Sequence, residues 1–129
     1  MPESVVLCNR TLSKAEELVS IFKSLGNIKS SAFQDLDEAF DVVINGTSAS
    51  LSGSLPPLPT QVISETTVAY DMMYSKEATV FNAWAEQYGA EKTIDGLGML
   101  VEQAAEAFKL WRGVRPETLT VMTAIRALK

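Results

Sequence analysis

Apolar positions in this chain alternate between short unbroken runs and stretches where they recur every third or fourth residue. Val5-Val6-Leu7-Cys8 is the first run, the pattern of a strand buried on both faces. Thr11 follows, then Ser13-x-x-Glu16 at capping-box spacing. Ala15, Leu18, Val19 and Phe22 fall on one helical face, and Gly26 supplies a stop. Residues 28–33 predict a weaker strand, and Asp35-Leu36-Asp37-Glu38 a short acidic turn or helix. Asp41-Val42-Val43-Ile44-Asn45 is a second, β-branched run, ending in the small polar loop Gly46-Thr47-Ser48-Ala49-Ser50, which Pro56, Pro57 and Pro59 extend. Val68-Ala69-Tyr70-Asp71 predicts a third strand. Phe81, Trp84, Ala85 and Tyr88 give a helix face closed by Gly89, and Thr93-Ile94 a short last strand. A long helix is expected from about Met99 to Trp111, with Leu97, Leu100, Val101, Ala104, Phe108 and Trp111 inward and Gly113 at its end. Pro116 opens a final helix with Leu119, Met122 and Ile125 inward. This alternation predicts an α/β fold, a parallel sheet covered by helices.

Composition narrows the functional classes. The 129 residues are one domain or part of one, 47% hydrophobic and 21% charged, with a net charge of −5. An acidic chain without a basic stripe is a poor nucleic-acid or anionic-membrane ligand. No run is long enough for a membrane span, and Met1-Pro2-Glu3-Ser4 lacks the order of a signal peptide. The single cysteine forms no internal disulfide and reads as core; together these features predict a cytoplasmic protein. There is no histidine, which removes Ser-His-Asp and Cys-His catalysis and the common zinc sites. No metal site is expected.

The segment Asn9-Arg10-Thr11 stands between a predicted strand and a predicted helix. In a dinucleotide-binding βαβ unit, the second strand ends beside the adenosine ribose. An acidic residue there selects NAD, and an Arg accommodates the 2′-phosphate of NADP. A neutral Asn followed by a cation reads as an NADP clamp, and Lys14 lies one turn on; the helix N-terminus adds N–H donors and a favourable dipole. Elsewhere the bland reading competes. Thr47-Ser48 follows a strand, where parallel sheets bind ligands, but an ordinary turn has the same composition. Met72 and Tyr74 leave the third strand at that edge and serve equally as core. Gly96 and Gly98 admit a cofactor or simply turn the chain. Gln103, one turn after Met99, reaches a ligand or water.

Taken together, Asn9-Arg10-Thr11-x-x-Lys14-Ala15, Asn45-Gly46-Thr47-Ser48, residues 70–74 (YDMMY) and residues 95–105 (DGLGMLVEQAA) resemble, in order, the C-terminal half of the shikimate dehydrogenase family. The resemblance implies an NADP-binding Rossmann domain over 1–129, C-terminal helices included. It implies Asn9, Arg10, Thr11 and Lys14 around the 2′-phosphate, Thr47 and Ser48 along the cofactor groove, and Met72, Gly96 and Met99 toward the nicotinamide. Tyr74 and Gln103 would reach shikimate. The implied function is part of an NADP-dependent oxidoreductase that interconverts 3-dehydroshikimate and shikimate in chorismate and aromatic amino acid biosynthesis. The alternatives are quinate/shikimate specificity, and a non-catalytic nucleotide-binding module or inactive gene fragment. The family's catalytic Lys and Asp lie in an N-terminal substrate domain with no counterpart here, so no catalytic residue is expected in this chain. Its first nucleotide-domain strand and Gly-rich loop are also missing, which predicts an incomplete, doubly wound Rossmann-like sheet. In the strand order 3-2-1-4-5-6, the runs at 5–8 and 42–45 then flank a vacancy; they must pair together, shift, or present unpaired edges. Low stability is expected of such a chain.

Overall fold

The computed structural model describes residues 2–49 and 53–128; Ser50 of the predicted loop lies outside them. The chain divides into two compact units, Met1–Ala39 with Pro57–Val62, and Phe40–Pro56 with Ile63–Lys129.

The first unit is one βαβ crossover. Strand β1 (Val5–Cys8) leads into helix α1 (Leu12–Phe22) and a 3₁₀ turn, Lys23–Leu25, and returns as β2 (Ile28–Ser31). β1 and β2 are parallel, with Val5 opposite Ile28 and Cys8 opposite Ser31. The predicted capping box does not form. Thr11 is the N-cap of α1 and makes no side-chain cap bond, so Ser13 already lies inside the first turn. Gly26 follows the 3₁₀ turn in extended backbone, at φ 167°, and is no left-handed cap. A further 3₁₀ turn, Phe33–Asp35, stands where the acidic segment begins. Ala15 of α1 is buried, yet Leu18 and Phe22 are exposed, against the expectation of one inward face. Two strands about 4.8 Å apart make a strip no wider than the roughly 10 Å helix, so side chains flanking Ala15 overhang it.

The second unit carries a parallel three-stranded sheet ordered β3 (Val42–Asn45), β4 (Val68–Asp71), β5 (Lys92–Ile94). Val42 pairs with Val68 and Asn45 with Asp71. Of the three outcomes foreseen for the runs at 5–8 and 42–45, the third occurs: among the described ladders each is the edge of its own sheet. β1 is accordingly only half-buried, and Val42 and Ile44 of β3 are exposed.

Helix α2 (Val80–Gln87) buries Phe81, Trp84 and Ala85. Thr79 caps it by accepting the Asn82 N–H at 3.2 Å. Gly89, at φ +87°, takes the left-handed conformation that ends it. Helix α3 (Leu97–Arg112) ends the same way at Gly113, φ +74°, whose N–H reaches the Lys109 carbonyl at 2.8 Å. Its buried seam is Leu97, Val101 and Ala105. Leu100, Ala104, Phe108 and Trp111, expected inward, are exposed. A seam of consecutive i, i+4 steps selects a narrower stripe than the broad apolar face suggested. Helix α4 (Thr118–Ala127) begins later than Pro116, with Glu117 as N-cap. Met122 and Ile125 are half-buried, but Leu119 is exposed. Polar ties join α4 to the rest of its unit: Arg115 binds Glu102 and Glu106, Thr118 donates to Glu102 at 2.7 Å, and Arg126 grips Asp95 through two bonds of 2.8 and 3.3 Å.

Candidate functional site

In the first unit the chain turns sharply after β1. The Asn9 Oδ1 accepts the Thr11 N–H at 2.9 Å, an Asx-turn that sets the chain into α1. Arg10 stands at the tip of that turn, exposed together with Thr11 and Lys14. Among the described residues, neither Arg10 nor Lys14 has an ion-pair or hydrogen-bonding side-chain partner. Thr11 leaves the helix head uncapped by its hydroxyl. Two uncompensated cations thus border a helix N-terminus whose orphan N–H groups and dipole favour an anion. Cys8, at the end of β1, is half-buried; burial raises its thiol pKa, opposed by a backbone hydrogen bond from Ser31.

In the second unit the carboxyl ends of β3 and β4 are tied by two buried polar residues. Asn45, 4% exposed, accepts the Thr47 N–H at 3.1 Å and the Thr47 hydroxyl at 2.8 Å through Oδ1. Its Nδ2 donates to Asp71 Oδ1 at 3.3 Å. Asp71, wholly buried, also accepts the Met73 N–H at 3.0 Å. The Met72 N–H donates to the Asn45 carbonyl at 3.0 Å, and the Gly96 N–H to the Met73 carbonyl at 2.9 Å. Beyond these anchors, Met72 and Tyr74 project to the surface, 42% and 50% exposed.

Gly96 lies against the backbone of Met72: a Cβ there would stand 2.0 Å from the Met72 carbonyl oxygen, whereas at Gly46 it would meet only the Met72 Sδ, at 3.2 Å. Asp95 Oδ1 accepts the Leu97 N–H at 3.2 Å, at the start of α3. Met99 and Gln103 follow on α3, one turn apart and both exposed. Thr47 is half-buried and Ser48 exposed.

Thr47, Met72 and Gly96 are therefore brought together in this unit through Asn45 and the Met72–Gly96 contact, while Asn9, Arg10, Thr11 and Lys14 form a separate cluster in the other. Asn45 and Asp71 are organising residues that sequence reasoning passed over as strand ends. The available signal was that two adjacent parallel strands each end in a short polar side chain. The exposed groups in this unit include a hydroxyl at Tyr74, an amide at Gln103 and a thioether at Met72. Among the described residues no cluster of acidic or sulfur side chains could hold a metal, and no helix is long and apolar enough to cross a membrane.

Parallel strands, intervening helices and a helix head bearing free cations define a Rossmann-like α/β unit. Residues 96–126 match the model of the shikimate 5'-dehydrogenase C-terminal domain. Over 97% of its length the chain is 59% identical to an NADP(+)-type shikimate dehydrogenase of Cellvibrio japonicus and 58% identical to one of Hahella chejuensis, covering 46% of each. A shikimate dehydrogenase of Thermus thermophilus, solved with NADP(H) and shikimate, superposes with a TM-score of 0.78 at 31% identity, over 95% of this chain and 45% of that one. An Ael1 enzyme from Pseudomonas putida does so with a TM-score of 0.87 at 44% identity, over 95% and 45%. The chain is recognisably related to shikimate dehydrogenase, over the C-terminal half of that enzyme, and it spans just under half the length of the curated relatives it matches.

Proposed function

We propose that this chain supplies the NADP-binding surface, and part of the substrate-binding surface, of an NADP-dependent shikimate dehydrogenase acting in the cytoplasm. The observation that carries the reading is the pair of unpartnered cations, Arg10 and Lys14, at the uncapped head of α1, in a chain similar throughout to NADP-type relatives. Arg10 and Lys14 hold the adenosine 2′-phosphate; Asn9 and Thr11 fix the turn that presents them and can contact the ribose. Thr47 and Ser48 line the cofactor groove. Met72 and Met99 pack beside the nicotinamide, and Gly96 keeps that surface free of a side chain. Tyr74 and Gln103 bind the hydroxyls of shikimate. When bound, NADP(H) supplies the hydride. This chain's residues bind and orient, and none is assigned the acid or base.

Coenzyme titration tests the reading. A charged hydrogen bond is worth about 1.5–3 kcal/mol, or roughly 10–100-fold in affinity. NADP should bind at least about tenfold tighter than NAD, and Arg10→Ala should erase that margin while leaving NAD unchanged. Equal affinities that ignore Arg10→Ala would refute the proposal.

A further inference from the structure

At or one residue beyond the ends of β1, β3, β4 and β5 the chain turns in the same way. Asn9, Asn45, Asp71 and Asp95 each accept, through Oδ1, the N–H of the residue two further on: Thr11 at 2.9 Å, Thr47 at 3.1 Å, Met73 at 3.0 Å and Leu97 at 3.2 Å. Such Asx-turns put the intervening residue at the tip, here Arg10, Gly46, Met72 and Gly96.

Two of the four turns are joined. Asn45 and Asp71 are partners on the last rung of β3 and β4, and both are buried. The Asn45 Nδ2 donates to Asp71 Oδ1 at 3.3 Å, the same oxygen that takes the Met73 N–H. The Asn45 Oδ1 takes the Thr47 hydroxyl, at 2.8 Å, as well as the Thr47 N–H. The thioether of Met72 in turn lies over the first turn: a Cβ on Gly46 would stand 3.2 Å from its Sδ. An apolar pair would fill the space of Asn45 and Asp71 without desolvating an amide and a carboxylate, but it would leave each turn to settle by itself.

We infer, on the coenzyme reading above, that Asn45 and Asp71 are positioning residues for the nicotinamide half of the coenzyme. By locking the Thr47 turn to the Met72 turn, they fix the spacing at which those two side chains meet that half. They touch no ligand and act only through their neighbours.

Calorimetric titration of the chain with NADP, NAD and adenosine 2′,5′-bisphosphate, which lacks the nicotinamide half, tests this. Asn45→Asp keeps the acceptor for Thr47 but sets two carboxylates against each other. Losing a hydrogen bond to a charged group is worth about tenfold or more in affinity, so NADP and NAD should each weaken by at least about tenfold, while the bisphosphate is unchanged. Asn45→Asp combined with Asp71→Asn restores one amide facing one carboxylate, with donor and acceptor exchanged, and should recover both coenzymes. Asp71→Ala removes both bonds without adding a charge and should repeat the pattern of Asn45→Asp, which covers the case where the latter does not fold. Emission of the buried Trp84, in a Trp111→Phe background, confirms that the second unit is folded in each variant titrated. A pair that served stability alone would leave coenzyme affinity unchanged in the folded variants, and that result would overturn the inference; so would equal weakening of the bisphosphate, or no recovery in the exchanged pair. Failure of the coenzyme reading shows separately: Arg10→Ala should weaken NADP and the bisphosphate and spare NAD.

Discussion

Replacing Gly96 by Ala places a methyl carbon 2.0 Å from the Met72 carbonyl oxygen and 2.6 Å from its carbonyl carbon, where ordinary contact begins at 3.4 Å. Both obstacles are backbone, so no rotamer relieves the clash and the two segments must separate by more than an ångström. Two hydrogen bonds resist: Gly96 N–H to the Met73 carbonyl at 2.9 Å, and Met72 N–H to the Asn45 carbonyl at 3.0 Å. At about 1–3 kcal/mol for each buried group left unpaired, the substitution costs about 2–6 kcal/mol, a large share of the roughly 5–15 kcal/mol that stabilises a domain. Gly46→Ala is the matched control. Its methyl meets only the Met72 Sδ, at 3.2 Å, and a thioether turns aside readily, so about 0.5 kcal/mol is expected at this exposed position. Urea unfolding in a Trp111→Phe background measures both, with buried Trp84 as reporter and the denaturant slope as a check on two-state behaviour. Midpoints for Gly96→Ala and Gly46→Ala that agree within error would refute the reasoning.

Two further outcomes follow from ionisable groups. Glu117 caps α4 by accepting the Leu119 and Thr120 N–H groups at 2.8 and 2.7 Å; a hydrogen bond from the Thr120 side chain, and after it these two backbone bonds, lower its carboxyl pKa below the ordinary 4.5. The cap's contribution is then fully present above pH 4.5 and lost as pH falls through the lower folded value; Glu117→Gln should flatten the corresponding acid limb in a helix-sensitive circular dichroism titration, and an unchanged limb would count against it. Cys8 has its thiol pKa raised by burial, so its alkylation by iodoacetamide near neutral pH should run slower than that of free cysteine and accelerate only at higher pH than the free thiol. A rate matching the free thiol would contradict this.

The elements were legible because they rest on local chemistry. The runs at 5–8, 42–45 and 68–71 became strands, and the glycines after α2 and α3 sit at the positive φ their positions require. What was misread depends on partners far along the chain. Trp111 and Phe108 have the composition of a buried face but are exposed, because the seam of α3 follows Leu97, Val101 and Ala105 instead. Ser13-x-x-Glu16 has capping spacing, yet the Asx-turn of Asn9 starts the helix two residues too early to use it. At the site, Arg10 and Thr47 could be located from strand ends alone. The buried Asn45–Asp71 tie could not, since it needs the register that sets those two residues opposite one another.

Besides half-buried Met122 and Ile125 and buried Thr118, the hold on α4 includes charged groups: Arg115, just before the helix, shared by two glutamates, and Arg126 on Asp95. Part of its attachment is thus written in a few editable surface letters. Substitutions there can loosen the helix over evolutionary time, or in an engineer's hands, while the sheet and the seam of α3 keep their shape.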